Sequence, residues 1–169
     1  IHVYTGAKKS DNLAKWVNND DDPNETTVEI WNLVFMQYTQ TEQAMLPLPQ
    51  TGVDTGMGFE RLCRLLQRGE NNYETDLFRP IVAAAEAALS VTYGAAAETD
   101  RGLRIVVDHV RSVTFMVSDG VFPSNEARGY VARRLLRRAV RYGRLLGHVG
   151  PFLGALVDAT ITRFGGIYP

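Results

Sequence analysis

The sequence predicts an α+β fold, with strands in residues 1–72 and helices in residues 73–169. Residues 29–38, "EIWNLVFMQY", are rich in aromatic and β-branched side chains, which favours a strand. After residue 72, apolar residues recur at the three- and four-residue spacing of helices. At 169 residues, the chain can form one ordinary hydrophobic core or two small ones.

The composition is that of a soluble globular protein, with 45% apolar and 22% charged residues. No apolar run approaches the roughly 20 residues that a membrane-spanning helix needs. The single cysteine, Cys63, excludes an internal disulfide and fits a reducing compartment. The three histidines, His2, His109 and His148, are scattered, so the sequence predicts no metal site.

Charge is distributed unevenly along the chain. Residues 1–60 carry 3 lysines and 9 acidic residues, whereas residues 61–169 carry 15 arginines and 10 acidic residues. Every cation of the second group is arginine, whose forked guanidinium suits phosphate groups. A local basic region on a chain of net charge −1 indicates a surface for nucleic acid or phosphate.

The first part of the chain is predicted to contain two strands and a helix. Residues 20–26, "DDDPNET", form a polar loop before the strand at 29–38. The near-continuous apolarity of that strand predicts burial on both faces, with Asn32 as the polar exception. Residues 47–52, "PLPQTG", are expected to lead into a short strand that ends near Asp54, before a helix at 58–68.

The second part is predicted to be helical throughout. Asp76 is the expected N-cap of a helix over 76–91, and "GAAAETDRG", 94–102, is expected to be a linker. Asp119 and Gly120 are expected to turn the chain after the next helix. The remaining helices are predicted at 103–117, from about 126 to 146, and at 151–164. The apolar face of the helix at 103–117 comprises Leu103, Val106, Val107, Val110, Val113 and Val117.

The segment from Arg128 to Arg144 combines an amphipathic pattern with an unusual charge. At 100° per residue, its apolar face comprises Val131, Leu135, Ala139, Tyr142 and Leu146, and its opposite face comprises Arg133, Arg134, Arg137, Arg138, Arg141 and Arg144. No acidic residue and no lysine lies in this segment, so i,i+4 pairs cannot relieve the repulsion. We favour RNA or DNA binding over a merely solvated face, although distant carboxylates could pair with part of it.

The stretch "VDTGMGFERL", 53–62, places two glycines between a strand and a helix. It lacks the lysine and Ser/Thr of a P-loop, so the glycines could simply allow a tight turn, with Arg61 paired to an acid. However, a helix N-terminus disfavours a cation such as Arg61, unless an anion such as a polyphosphate lies between them. Asp54, at the end of a buried strand, would need a cationic or donor partner such as an ammonium group.

Several segments together closely resemble, in order, those of the alanyl-tRNA synthetase family. They are "EIWNLVFMQY", "PLPQTGVDTGMGFERL", "NNYETDLF" and "DHVRSVTFMVSDGVFPSNEARGYVARRLLRRAVRYG", and the resemblance covers nearly the whole chain from Asp20 onward. "DTGMGFERL" is similar to motif 3 of class II synthetases. The resemblance implies an antiparallel-sheet remnant of a class II catalytic domain in residues 1–72 and a helical tRNA-recognition domain in residues 73–169.

The resemblance also implies roles for residues of the first part. Asp54 matches the aspartate that receives the amino group of alanine, and Asn32 and Gly56 match residues of the same pocket. Arg61 matches the catalytic motif 3 arginine that binds ATP, next to Gly58 on the ATP side. Glu29 lies where class II enzymes often place an acid near ATP and Mg²⁺, although a structural salt bridge is an equal alternative.

In the second part, Asn125 matches the asparagine that reads the wobble G·U pair of the tRNA(Ala) acceptor stem. Its alternative role is that of a helix N-cap. Arg134, Arg137, Arg138 and Arg141 would then bind the phosphates of the same tRNA. Asp108, His109 and Arg111 also match the family, and we interpret them as buried structural pairs.

The chain begins at Ile1, so we expect it to be a piece of a longer protein. Motifs 1 and 2 would precede it, and the editing domain with its zinc ligands and the oligomerising domain would follow it. The parent would activate alanine with ATP and Mg²⁺ and transfer it to tRNA(Ala) in the cytoplasm or an organelle, whereas the isolated chain would be inactive. The alternatives are a stand-alone tRNA-binding module without catalysis and a structural fragment.

Overall fold

A computed structural model of the protein describes residues 1–4 and 27–168. The chain divides into two compact units, Ile1–Asn72 and Tyr73–Pro169. The described part of the first unit is mostly strand, and the second unit is helical. The α+β class with antiparallel strands is therefore confirmed, while the predicted loop at 20–26 lies outside the described residues.

The first unit contains two antiparallel strand pairs. Strand β1 (His2–Tyr4) pairs with β2 (Thr27–Glu29), and β3 (Trp31–Gln40) pairs with β4 (Met45–Met57). Helix α1 (Phe59–Leu66) follows β4 directly, with Gly58 as its N-cap residue. The predicted strand at 29–38 is thus divided at Ile30, and Glu29 ends β2 instead of beginning β3.

Strand β4 is longer than the short strand predicted, because it continues through both of its prolines. Pro47 pairs with Tyr38, next to a register shift between Met36 and Tyr38. Pro49 lies within the resulting bulge, where the ladder needs no donor from its nitrogen. The segment "PLPQTG", expected to lead into the strand, is therefore part of it.

The prediction that the strand at 29–38 is buried on both faces was also wrong. Large apolar side chains of β3 and β4 are exposed, among them Phe35 at 68% and Val53 at 53%. The apolar composition correctly marks a strand, but no described segment of this unit covers either face of the β3–β4 hairpin. Val28 on β2 is the one buried hydrophobic side chain among the described residues of the unit.

The second unit has a continuous hydrophobic core. After a 3₁₀ turn at Asn72–Glu74 come α2 (Arg79–Leu89), α3 (Ala97–Ser118), α4 (Ala127–Leu145) and α5 (Leu153–Phe164). Helix α3 packs against α2, α4 and α5, which makes it the centre of the unit. The core consists mainly of Phe78, Ile81, Val82, Ala85, Leu103, Val106, Val107, Val110 and Leu156.

Two boundaries in this unit differ from those predicted. Asp76 does not cap α2, since the helix begins at Arg79 with Pro80 in its first turn. Asp76 instead pairs with Arg163, whose Nη2 lies 3.5 Å from Oδ2. The predicted linker at 94–102 is largely helical because α3 begins at Ala97. Within it, a Cβ added to Gly102 would lie 3.0 Å from a side-chain methyl group of Leu146.

The buried face of α4 consists of small residues. Gly129, Ala132, Ala139 and Gly143 are buried, whereas Val131 is exposed, contrary to its predicted place on the apolar face. A Cβ at Gly143 would lie 2.5 Å from two ring atoms of Phe152. Small residues thus let α4 lie close to its neighbours, and Val131 is displaced toward the arginine side.

Candidate functional site

Three of the predicted site residues share one face of the β3–β4 hairpin. Asn32 lies directly opposite Gly56 in the ladder, and Asp54 lies opposite Val34. Side chains directly across an antiparallel pair point to the same face, and so do alternate residues of one strand. Asn32, Gly56 and Asp54 therefore form one cluster, which we call the strand-face cluster.

Gly56 is not required by the packing or the backbone of the described chain. Its φ angle is not positive, so the backbone there is open to any residue. A Cβ added to Gly56 would meet no described atom within 4 Å. The absence of a side chain therefore leaves open space beside Asn32 and Asp54.

Gly58 has a clear structural role in positioning Arg61. Its N–H donates to the Ile30 carbonyl at 2.8 Å, which fixes the turn to the start of β3. A Cβ at Gly58 would lie 3.2 Å from Cδ of Arg61, so the glycine leaves room for the arginine to fold back across the turn. Arg61 Nη1 then donates to the Glu29 backbone carbonyl at 2.8 Å.

Glu29 connects this turn to the strand-face cluster. Its Oε1 accepts a long hydrogen bond from Asn32 Nδ2 at 3.4 Å, and its Oε2 lies 3.9 Å from His2 Nε2. Among the described residues, no ion pair between Arg61 and an acidic side chain is observed, and its Nη1 instead donates to the backbone of Glu29. The Arg61 guanidinium thus contacts the backbone of Glu29, while the Glu29 side chain contacts Asn32 of the cluster.

Asp54 is exposed in the interior of β4, so the expectation that it lies at the end of a buried strand was wrong. An exposed carboxylate is solvated by water and needs no protein partner. With the Asn32 carboxamide on the same face, it provides an anionic acceptor beside a group that can both donate and accept. This arrangement suits a small ligand that carries an ammonium group.

The arginine face of α4 forms a second candidate site. Tyr130 and five arginines line a shallow depression of about 370 Å³: Arg133, Arg134, Arg137, Arg138 and Arg141. All five arginines are exposed, and none forms an ion pair with an acid within the described ranges 1–4 and 27–168. The alternative that distant carboxylates pair with this face is therefore not observed in that part of the chain.

Asn125 lies at the loop before α4 but does not cap the helix. The N-cap residue is Glu126, without a side-chain cap, and α4 begins at Ala127. Asn125 is exposed, and its Oδ1 accepts a hydrogen bond from Nη1 of Arg133. The helix-cap alternative for Asn125 is thus wrong, since the helix starts one residue too late.

The cluster around His109 is structural, as we interpreted it, although only the histidine is buried. His109 Nδ1 lies 3.1 Å from Asp108 Oδ2, and Arg111 Nη2 lies 3.6 Å from Asp108 Oδ1. The guanidinium of Arg111 also lies over the Phe78 ring at 5.1 Å. These contacts hold the middle of α3 against the residues that precede α2.

Two contributions to the α4 site were missed at the level of sequence. Tyr130 lines the depression, and its spacing of three and four residues from Arg133 and Arg134 was a usable signal. Gly129 allows the preceding loop to approach the helix, because a Cβ there would lie 2.5 Å from the Phe122 carbonyl oxygen. Nothing in the amino-acid sequence indicated that the loop approaches Gly129 so closely.

Comparison with known proteins identifies the group to which these sites belong. The family model described as "tRNA synthetases class II (A)" matches residues 1–169. The chain is 50% identical over 143 residues to the alanine–tRNA ligase of Thermotoga maritima, covering 84% of this chain and 17% of the relative. The corresponding ligase of Acidithiobacillus ferridurans is 52% identical over 143 residues, with 84% and 16% covered.

A third relative covers almost the whole chain. The alanine–tRNA ligase of Pseudothermotoga lettingae is 45% identical over 171 residues, which are 99% of this chain and 20% of the relative. The chain thus spans about a sixth to a fifth of the length of the curated relatives it matches. The chain belongs to the class II (A) tRNA synthetase family, in which these relatives are alanine–tRNA ligases.

Proposed function

We propose that this chain carries the motif 3 part of the alanine and ATP sites of an alanine–tRNA ligase, together with part of its tRNA-binding surface. The observation that carries the proposal is the register of β3 and β4, with Asn32, Gly56 and Asp54 on one face and Arg61 at its edge. Alanine is the smallest amino acid with a side chain, and the open space at Gly56 suits a small ligand.

Within the strand-face cluster, Asp54 binds the ammonium group of alanine. A charge-assisted hydrogen bond between an ammonium and a carboxylate is the stronger kind in proteins. Asn32 lies on the same face and offers its carboxamide, while its Nδ2 also touches Glu29. Gly56 leaves the space beside them for the substrate.

At the edge of the cluster, Arg61 and Gly58 bind ATP. The hydrogen bond from Arg61 to the Glu29 carbonyl holds the guanidinium near the helix N-terminus, where the remaining N–H donors can bind phosphate oxygens. The reaction is an in-line displacement in which a carboxylate oxygen of alanine bonds the α-phosphorus of ATP, while the bond from that phosphorus to the leaving pyrophosphate breaks. The residues accelerate it mainly by positioning the two substrates and by stabilising charge on the phosphates.

Mg²⁺ fits this edge of the site through a single protein ligand. Magnesium is commonly held by one or two carboxylates together with substrate phosphates, and Glu29, whose backbone carbonyl accepts from Arg61, would supply one carboxylate. Within the described residues, no group of three or more His, Cys, Asp and Glu side chains gathers to hold a metal. Bound with ATP, magnesium would supply charge neutralisation on the phosphates.

On α4, we assign Arg134, Arg137, Arg138 and Arg141 to the phosphates of tRNA(Ala), and Asn125 to base edges in its acceptor stem. Phosphate contacts position an RNA without reading its sequence, whereas an amide can read the wide, shallow minor groove of A-form RNA. The lack of ion pairs on this face within the described residues supports the assignment. A stand-alone tRNA-binding module is the second candidate function, and the same observation favours it.

Two assays separate these candidates. Alanine-dependent ATP–pyrophosphate exchange is measured in a full-length alanine–tRNA ligase that carries this segment, here called the full-length ligase. Exchange that collapses with Arg61→Ala supports the synthetase, and an exchange rate that Arg61→Ala leaves unchanged refutes the role of Arg61. In filter binding, the logarithm of the tRNA association constant should fall with the logarithm of the salt concentration, with a slope of roughly 0.7–0.9 per neutralised phosphate. Weak binding that does not depend on salt would mean a purely structural fragment.

A further inference from the structure

We propose that Arg133 is a specificity-determining residue that orients the Asn125 carboxamide, and is not a further phosphate contact of the arginine face. The proposal rests on the proposed function, in which Asn125 reads the acceptor stem. It separates Arg133 from its neighbours on α4, although all of them share one face and one charge.

The first observation is the hydrogen bond between the two side chains. Nη1 of Arg133 donates to Oδ1 of Asn125, eight residues earlier in the chain. Among the described residues, no comparable bond to a neighbouring side chain holds Arg134, Arg137 or Arg141, which leaves their guanidinium groups available to phosphates. Arg133 is therefore already engaged at the position where its neighbours can bind RNA.

The second observation is that the backbone around Asn125 is fixed independently of Arg133. Ser124 N–H donates to the Gly129 carbonyl at 3.0 Å, so the loop is tied to the first turn of α4. Ser124 Oγ donates to the Glu126 carbonyl at 3.0 Å and accepts from the Glu126 N–H at 3.3 Å. Only the side-chain torsions of Asn125 remain to be set, and Arg133 is the group that sets them.

The chemistry of the pair determines which end of the amide faces outward. A carboxamide presents an acceptor oxygen on one side and two N–H donors on the other, and a half-turn exchanges them. Arginine has donors only, so it can bind Oδ1 of Asn125 but not Nδ2. With Arg133 in place, the donors of Nδ2 are turned away from α4 and toward a bound RNA.

This orientation matters because a wobble pair and a Watson–Crick pair place donors and acceptors differently in the minor groove. An amide that rotates freely can satisfy either arrangement, whereas an amide fixed by Arg133 satisfies one. Loss of Arg133 should therefore lower the discrimination between stems and affect overall affinity for tRNA much less. We expect a drop of about tenfold in the discrimination ratio, the effect of one hydrogen bond to a charged group.

The test compares Arg133→Gln and Arg133→Lys in the full-length ligase. The measured quantity is the ratio of kcat/KM for the G·U acceptor stem to kcat/KM for its G·C variant. Lysine has donors only and should keep most of the ratio, whereas glutamine also offers an acceptor to Nδ2 and should lose about tenfold. The matched control Arg134→Gln removes the same charge and should lower kcat/KM for both stems by the same factor.

The salt dependence of tRNA binding gives an independent readout. Arg133→Gln should leave the slope unchanged, whereas Arg134→Gln should reduce it by one contact, about 0.7–0.9. The double variant Asn125→Ala/Arg133→Gln should discriminate no worse than Asn125→Ala alone, since both changes act through one amide.

The outcomes distinguish the two proposals. If Asn125→Ala abolishes discrimination but Arg133→Gln weakens both stems equally and lowers the slope, Arg133 is a phosphate contact and this inference fails. If Asn125→Ala itself leaves the ratio unchanged, the proposed role of Asn125 fails first. A discrimination ratio that Arg133→Lys retains and Arg133→Gln loses supports the orienting role, because a purely structural residue would not separate the two variants. Arg133 is exposed, so neither substitution should prevent folding.

Discussion

Replacing Gly56 with alanine should separate stability from alanine binding. A Cβ at this position meets no described atom within 4 Å, and the backbone φ is not positive. The free energy of unfolding should therefore change by no more than about 0.5 kcal/mol, as for an ordinary exposed substitution. The added methyl group would instead fill the space beside Asn32 and Asp54 that we assign to the substrate.

The expected cost to binding follows from overpacking. Adding a methyl group to a filled pocket costs about 1–3 kcal/mol. Because about 1.4 kcal/mol corresponds to a tenfold change, the KM for alanine should rise about 5- to 150-fold. The free amino acid glycine lacks the methyl side chain, so its binding should weaken less than that of alanine. The selectivity of the enzyme should therefore shift toward glycine.

The assay is alanine-dependent ATP–pyrophosphate exchange in the full-length ligase, with the KM for ATP measured alongside. Gly52→Ala is the matched control, since it lies on the same strand face and its Cβ would touch Met36 at an ordinary 3.4 Å. The control should leave the KM for alanine unchanged. An unchanged KM for alanine in Gly56→Ala, or equal increases for alanine and ATP, would refute the reasoning.

Three further predictions concern the isolated chain, the arginine face and the helical unit. The isolated chain should show background exchange, because the strand-face cluster is exposed and lacks an opposite wall among the described residues; clear turnover would contradict this. Arg141→Ala should weaken all tRNAs nearly alike and reduce the salt slope of filter binding by about one contact, whereas an unchanged slope would remove Arg141 from the RNA surface. Gly143→Ala should lower the free energy of unfolding by about 1–2 kcal/mol in denaturant titrations, since its Cβ would lie 2.5 Å from the Phe152 ring. Gly154→Ala, where the added Cβ meets open space, should raise the free energy of unfolding by about 0.5 kcal/mol. Equal effects of the two substitutions would contradict the packing argument.

The sequence predicted the elements better than it predicted their surroundings. Helix α3 followed its apolar spacing, and Leu103, Val106, Val107 and Val110 are buried as expected. The exposure of Phe35 and Val53 could not be foreseen in the same way. An apolar strand shows that a surface is suited to burial, but it does not show which segment covers it.

Local signals in competition account for the other differences. Asp76 is a good capping residue, but Pro80 favours a start one turn later, and the helix begins at Arg79. The prolines of "PLPQTG" favour a loop, yet an edge strand with a bulge accepts them. Both outcomes depend on packing and ladder geometry that the local pattern does not encode.

The candidate sites were predictable to different degrees. The alternation of β3 placed Asn32 among apolar residues, which was a usable signal for a site. The bond between Arg133 and Asn125 was not predictable, because it depends on where α4 begins and on a loop that Gly129 allows to fold back.

The chain contains no helix, within its described residues, that is both long and apolar enough to cross a membrane.

The most direct test of the central claim measures how the full-length ligase binds two nonreactive analogues of alanyl-adenylate by calorimetry. One analogue carries the α-amino group, and the other has a propionyl group without it. Asp54→Asn should weaken the first by at least about tenfold, since a hydrogen bond to a charged group contributes roughly 1.5–3 kcal/mol, and should leave the second unchanged. Equal losses for both analogues would show that Asp54 supports the turn as a whole and does not bind the ammonium group of alanine.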